Sequence, residues 1–65
     1  LRIQREFAQA GYELSIRYVQ LFDCHRAEWS DASGAPVGAV VGGSEREAAV
    51  YALAQFRRRT LGVRA

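Results

Sequence analysis

Two glycines and a serine, Gly42-Gly43-Ser44, stand directly before an alanine-rich segment and mark the clearest structural boundary in the chain. The Ser44 hydroxyl can accept a hydrogen bond from the first turn of a helix, and Glu47 can reach back to the Ser44 amide. This reciprocal pattern, a capping box, predicts that a helix begins here. Gly62 suits the position after a helix, so we expect the helix to stop there.

The apolar residues of this last helix cover more of its circumference than one narrow stripe. One group clusters on a single side: Ala49, Ala52, Leu53 and Phe56. Another group widens the apolar arc: Val50, Ala54 and Leu61. An arc of this breadth predicts two packing surfaces, one against the sheet and the other against the first helix or a second subunit. Tyr51 falls on the polar side, where we expect it to be exposed and available to an interface.

A shorter helix is predicted at the start of the chain. Ile3, Phe7 and Ala10 are spaced as one side of a helix. Gly11 suits the left-handed conformation that commonly follows a helix end.

The segment 12–22 is predicted to be a strand, because apolar and polar residues alternate from Tyr12 to Tyr18. Both faces become apolar from Val19 to Phe22, so we expect a bulge there or cover on both sides. The same segment also fits a helical period, which would join it to the first helix through Gly11. The cost of glycine in a helix, about 1 kcal/mol relative to alanine, and the β-branched residues favour the strand.

Two further strands are expected before the last helix. Residues 27–30 and 36–41 are separated by 31–34, whose residue types favour a turn. Pro36 cannot donate a backbone hydrogen bond, so we expect it at a strand start or a sheet edge. The predicted fold is a single α+β domain over residues 1–65, a three-stranded antiparallel sheet with two helices on one face, in the order α-β-β-β-α.

The chain has 65 residues and one cysteine, Cys24. A domain of this size hides only about 60% of the surface that it would expose unfolded, so we expect a thin core with Trp29 as its main anchor. An internal disulfide is excluded, and a lone cysteine is typical of a reducing compartment, which favours the cytoplasm. The sequence contains no apolar run long enough to span a membrane and no recognisable leader, so we expect a soluble protein.

Charge is distributed unevenly along the chain. Residues 1–56 carry a net charge of −2, and residues 57–65 carry +4, including the run Arg57-Arg58-Arg59. The run is explained by the favourable interaction of cations with a helix C-terminus, and it is also compatible with phosphate binding.

Residue types that could support catalysis occur together only at Asp23-Cys24-His25. Neighbouring residues of an extended chain point to opposite faces, so Cys24 and His25 do not form a nucleophile and base pair there. Metal-ligand spacing is missing, and the glycine-rich segment before Ser44 lacks the lysine of a nucleotide-binding loop. We therefore expect no enzyme activity, no cofactor and no metal.

Two families resemble parts of this sequence. The order of elements, together with Gly42-Gly43-Ser44 leading into the helix at Ala48-Ala49, resembles a double-stranded-RNA-binding domain over nearly the whole chain. That family places lysines after the serine to contact phosphates. This resemblance implies RNA binding in which Arg46 is the one residue that could make such a contact, since Glu45 precedes it.

The segment from Val37 to Phe56 also resembles the small strand-and-helix domain of HicB-type antitoxins. The likeness is carried by residues at the helix start: Ser44, Glu45, Glu47, Ala48 and Ala49. It implies a dimerising module that binds a protein partner.

These observations favour a non-enzymatic binding module that associates with a protein partner or with itself as a homodimer. The expected interface residues are Tyr51, Val50, Ala54 and Leu61. Nucleic-acid binding is the alternative, and its expected residues are Arg17, Arg46, Arg57, Arg58 and Arg59.

Overall fold

The computed structural model describes residues 2–60 of the chain, with Thr60 described by its backbone alone. Its elements follow one another as α1 (Arg2–Gln9), β1 (Glu13–Val19), β2 (Cys24–Ser30), β3 (Pro36–Gly42) and α2 (Glu45–Thr60). The three strands form one antiparallel sheet in the order β1-β2-β3. The predicted fold class is therefore confirmed. The expected helix stop at Gly62 lies outside the described residues.

Helix α1 ends as its sequence predicts. Gly11 has a φ of 90°, the left-handed conformation that glycine adopts without steric cost. The Tyr12 amide donates to the Phe7 carbonyl at 2.9 Å, which closes the end of the helix and directs the chain into β1. The alternation that starts at Tyr12 then continues in an extended conformation, so a continuous helix through this segment is excluded.

The end of the predicted first strand was placed wrongly. A 3-10 turn over Gln20–Phe22 follows β1, and Asp23 then adopts a left-handed conformation with a φ of 51°. Leu21 and Phe22 are 82% and 72% exposed, so they are neither a bulge nor covered on two faces. The sequence places Leu21 and Phe22 at the end of a strand, whereas in the structure they form the solvent-exposed tip of a tight hairpin.

The second hairpin is built around one side chain. Asp31 Oδ1 accepts hydrogen bonds from the Ser33 amide at 2.9 Å, the Ser33 hydroxyl at 2.6 Å and the Ala35 amide at 3.1 Å. Gly34 supplies the positive φ, 91°, that the turn requires. Pro36 is the first residue of the edge strand β3, as expected. Strand β2 begins three residues before the predicted start, at Cys24.

The core lies between one face of the sheet and the two helices. Phe7 of α1 stacks on Phe56 of α2 with centroids 4.1 Å apart, and it also contacts Trp29 of β2 at 5.5 Å. Tyr12 meets Phe56 edge to face at 5.2 Å. Trp29 is almost fully buried, which confirms it as the anchor. Aromatic contacts between α1, β2 and α2 therefore join both helices to the sheet.

The capping box forms with one change from the prediction. The Glu47 amide donates to Ser44 Oγ at 3.0 Å, as expected. The Glu47 carboxylate accepts from the Gly43 amide rather than from Ser44, because the chain turns sharply where β3 ends. That turn brings Gly42 against the backbone of Ala48, where an added Cβ would lie 2.7 Å from the amide nitrogen.

Gly38 lies under the Trp29 indole, and its missing side chain allows the indole to pack against the neighbouring strand. A Cβ at Gly38 would lie 2.9 Å from Trp29 Cε2.

We predict that Gly38→Ala lowers the free energy of unfolding by about 1–3 kcal/mol, because the indole must move. Urea denaturation measures this loss. In a Trp29→Phe background the added methyl group has space, so the double variant should lose less than the sum of the single variants. Strict additivity would contradict the contact.

Candidate interface on the last helix and the sheet edge

The outward side of α2 carries three exposed apolar residues, which we call the α2 strip: Val50, Tyr51 and Ala54. Val50 is 49% exposed and Tyr51 is 47% exposed. The strip faces away from the core, because the buried side of the helix is formed by Ala48, Ala52 and Phe56. Three of the four predicted interface residues therefore lie together on one surface. The fourth, Leu61, is outside the described residues.

Tyr51 is held in place by the carboxylate that caps its own helix. Its hydroxyl donates to Glu47 Oε2 at 3.1 Å, while Glu47 Oε1 accepts from the Gly43 amide. The hydrogen bond to this nearby negative charge raises the pKa of Tyr51. It also orients the ring along the helix surface. Because Gly43 donates within the chain, the glycine-rich segment does not offer that amide to a phosphate.

Strand β3 forms one free edge of the sheet, and it contains no charged residue between Pro36 and Gly42. The opposite edge, β1, carries Glu13 and Arg17. Charged side chains discourage pairing between sheet edges, and a proline protects only its own position. Val41 on β3 is 52% exposed. Beyond Pro36, β3 therefore lacks the usual protection against pairing with another chain.

The arginines fall into two groups that the sequence does not separate. Arg17 and Arg26 pair across β1 and β2 on the open face of the sheet, and both contact Glu28, at 3.7 and 2.8 Å. Hydrogen bonding to Arg26, with the charges of both arginines, lowers the pKa of Glu28. Arg17 therefore lies on the opposite face of the sheet from the helices that carry the other predicted nucleic-acid residues, and it shares the Glu28 carboxylate with Arg26.

The second group lies on the helices. Arg57 bonds to Glu6 of α1 with nitrogen to oxygen distances of 2.9 and 3.0 Å, which lowers the pKa of that carboxyl. Five helix arginines form no ion pair with any residue between 2 and 60: Arg2, Arg5, Arg46, Arg58 and Arg59. Arg2 and Arg5 of α1 are not among the arginines predicted from the sequence, and Arg2 lies beside Arg46 only because α1 packs next to α2.

A third exposed feature, which the sequence analysis did not predict, is the hairpin tip formed by Tyr18, Leu21 and Phe22. The Tyr18 hydroxyl donates to Asp23 Oδ1 at 2.8 Å and raises its own pKa by doing so. The Tyr18 ring also packs against His25 at 5.2 Å. An apolar pair followed by aspartate, a residue that tolerates the left-handed conformation, is the signal that could have indicated a turn.

Cys24 and His25 occupy adjacent positions of β2 and therefore point to opposite faces. Cys24 pairs with Val19, and His25 pairs with Tyr18. Within residues 2–60 no three metal-ligating side chains lie close enough to hold an ion. None of the helices in this part of the chain has both the length and the apolar character needed to cross a bilayer.

A groove of about 560 Å³ lies between the first turns of the helices. It is lined by Arg2, Ile3, Glu45, Arg46, Ala49 and Val50. Its position shows that α1 and α2 begin at the same end of the domain.

Comparison of the chain with protein-family models, with curated proteins and with solved structures finds no match. The resemblances to double-stranded-RNA-binding domains and to HicB-type antitoxins therefore stay predictions.

Proposed function

We propose that this domain is a non-enzymatic association module that forms a homodimer through the free edge of β3 and the adjoining surface of α2. The observation that carries the proposal is the uncharged edge strand β3, which exposes Val41 on the open face of the sheet and lies beside the exposed Tyr51 of α2 on the other face. The compartment that we propose is the cytoplasm, where a single half-buried thiol stays reduced.

Two physical arguments support self-association at this place. A free strand edge presents unpaired amides and carbonyls, and a second copy offers the same pattern in the antiparallel direction. A 65-residue domain also gains more from added buried area than a large one does, since its own core is small. Pairing β3 with its symmetry mate would satisfy the edge and cover Val41 in one contact.

We predict a dimer at micromolar concentration in sedimentation equilibrium, and a monomer for Val41→Glu under the same conditions. In the monomer a glutamate at this position would face Arg26 on β2, its cross-strand partner, so the fold should tolerate the change. In the dimer it would place two carboxylates at the seam. Leu21→Glu is the matched control, because it also replaces an exposed apolar residue but lies on the hairpin tip.

A wild-type chain that sediments as a monomer at its highest attainable concentration would overturn the proposal. If Leu21→Glu dissociates the dimer and Val41→Glu leaves it intact, the interface lies at the hairpin tip instead.

Nucleic-acid binding is the second candidate, and the five arginines without ion pairs on the helices favour it. If these arginines contact phosphates, affinity for duplex RNA or DNA should fall steeply as salt rises, because counterions are released. Arg57 and Arg17 are less suited, since each already contacts a glutamate.

We predict that a triple variant, Arg46→Ala, Arg58→Ala and Arg59→Ala, abolishes any duplex binding seen at 50 mM salt in fluorescence anisotropy. Arg17→Ala and Arg26→Ala together form the control and should leave that binding unchanged. Binding that does not respond to salt, or that is lost only in the control, would contradict this candidate.

A further inference from the structure

We infer that the dimer, if the proposed self-association holds, has one defined register: β3 pairs antiparallel with its mate about Val40, and Glu47 of each α2 faces Arg58 of the partner subunit. This inference rests on the proposed homodimer and specifies the partner surface. Two features determine this register. The first is which side of α2 lies above the edge of β3, and the second is the position of the two-fold axis along β3 and α2.

One side of α2 is occupied by α1. Arg57 bonds to Glu6, and the groove lined by Ile3, Ala49 and Val50 lies between the two helices. At about 100° per residue, Glu47, Tyr51 and Arg58 fall within about 40° of one another and about 80–120° away from Arg57. This set of three residues, the α2 flank, therefore points away from α1.

The α2 flank overhangs the free edge of β3. Helix α1 packs mainly on β1, and α2 packs mainly on β3. Because β1 and β3 are opposite edges of the sheet, the side of α2 that is remote from α1 lies above the open edge. A second copy that pairs with β3 would bring its own α2 flank against this one.

The position of the two-fold axis can be estimated both along α2 and along β3. Gly42 lies against Ala48, and α2 runs back along β3 from there. The midpoint between Glu47 and Arg58 falls about 7 Å beyond Ala48, at about 1.5 Å per helical residue. The same distance covers about two residues of a strand, which places it above Val40. A single two-fold axis beside Val40 therefore relates β3 to its mate and also relates α2 to its mate, as a closed dimer requires.

The charges are complementary in this register. Antiparallel helices that cross at that midpoint place Glu47 opposite Arg58 of the partner subunit and Tyr51 opposite Ala54 of the partner subunit. Symmetry repeats each pair. Arg58 forms no ion pair with residues 2–60, and the exposed Glu47 carboxylate has acceptor capacity beyond the Gly43 amide and the Tyr51 hydroxyl. Like charges meet nowhere in these pairs.

The test compares Arg58→Glu with Arg59→Glu by sedimentation equilibrium. Both variants change an exposed arginine of α2 by the same charge, but Arg59 lies about 100° around the helix from Arg58 and lines a pocket with Tyr12, Phe56 and Val37 near the start of β3. We expect Arg58→Glu to raise the dimer dissociation constant at least tenfold and Arg59→Glu to change it less than threefold. Adding Glu47→Gln to Arg58→Glu should restore most of the affinity, because glutamine keeps the capping oxygen and removes the repulsion.

The possible results distinguish failure of the proposed register from failure of the proposed homodimer. Equal effects of Arg58→Glu and Arg59→Glu, with Val41→Glu still giving monomers, would overturn the register and leave the β3 interface standing. Failure of Glu47→Gln to restore affinity would also overturn the register. A monomeric wild-type chain would overturn the register together with the proposed function.

Discussion

The structure depends on the contact between the Trp29 indole and the backbone of Gly38 on the neighbouring strand. A side chain at Gly38 would lift the indole away from the sheet. Because the indole lies low, Phe7 can pack against it and also stack on Phe56, so one aromatic cluster joins α1, β2 and α2. No polar side chain is buried among residues 2–60, and the small alanines of α2 let that helix approach the sheet closely. The domain is therefore held by a few tightly packed rings.

Because the core is small, several apolar side chains remain on the surface. The aromatic cluster and the aliphatic residues packed against it leave several large apolar side chains exposed on the α2 strip, at Val41 and on the hairpin tip. The two edges of the sheet are not equivalent, because β1 carries charges and β3 does not. The uncharged edge of β3, rather than a pocket or a reactive group, is the feature that favours association.

Sequence patterns predicted the features that depend on local chemistry. Ser44 and Glu47 fixed the start of α2 because capping involves only neighbouring residues, and Gly11 marked the end of α1 for the same reason. The exposure of Tyr51 followed from helical periodicity. The hairpin tip was missed because apolar residues such as Leu21 and Phe22 are normally assigned to buried positions, and only the backbone conformation at Asp23 reveals the turn.

The arrangement of charges depends on tertiary structure, so the sequence could not supply it. Arg17 and Arg46 look alike in the sequence, but the sheet separates them, and Arg17 shares the Glu28 carboxylate with Arg26. Arg2 lies beside Arg46 only because α1 packs next to α2. The early start of β2 was missed because Cys24, His25 and Arg26 do not alternate between apolar and polar residues, and the pairing of Arg26 with Glu28 on the open face is not visible in the sequence.

Amide hydrogen exchange at two protein concentrations gives the sharpest test of homodimerisation through β3, because it reports on the edge amides themselves. If β3 pairs with its mate, its amides outside the β2 ladder exchange more slowly at high concentration, whereas the edge amides of β1 exchange at the same rate at both concentrations. Exchange at β3 that is independent of concentration, or protection that develops on β1 instead, would contradict it.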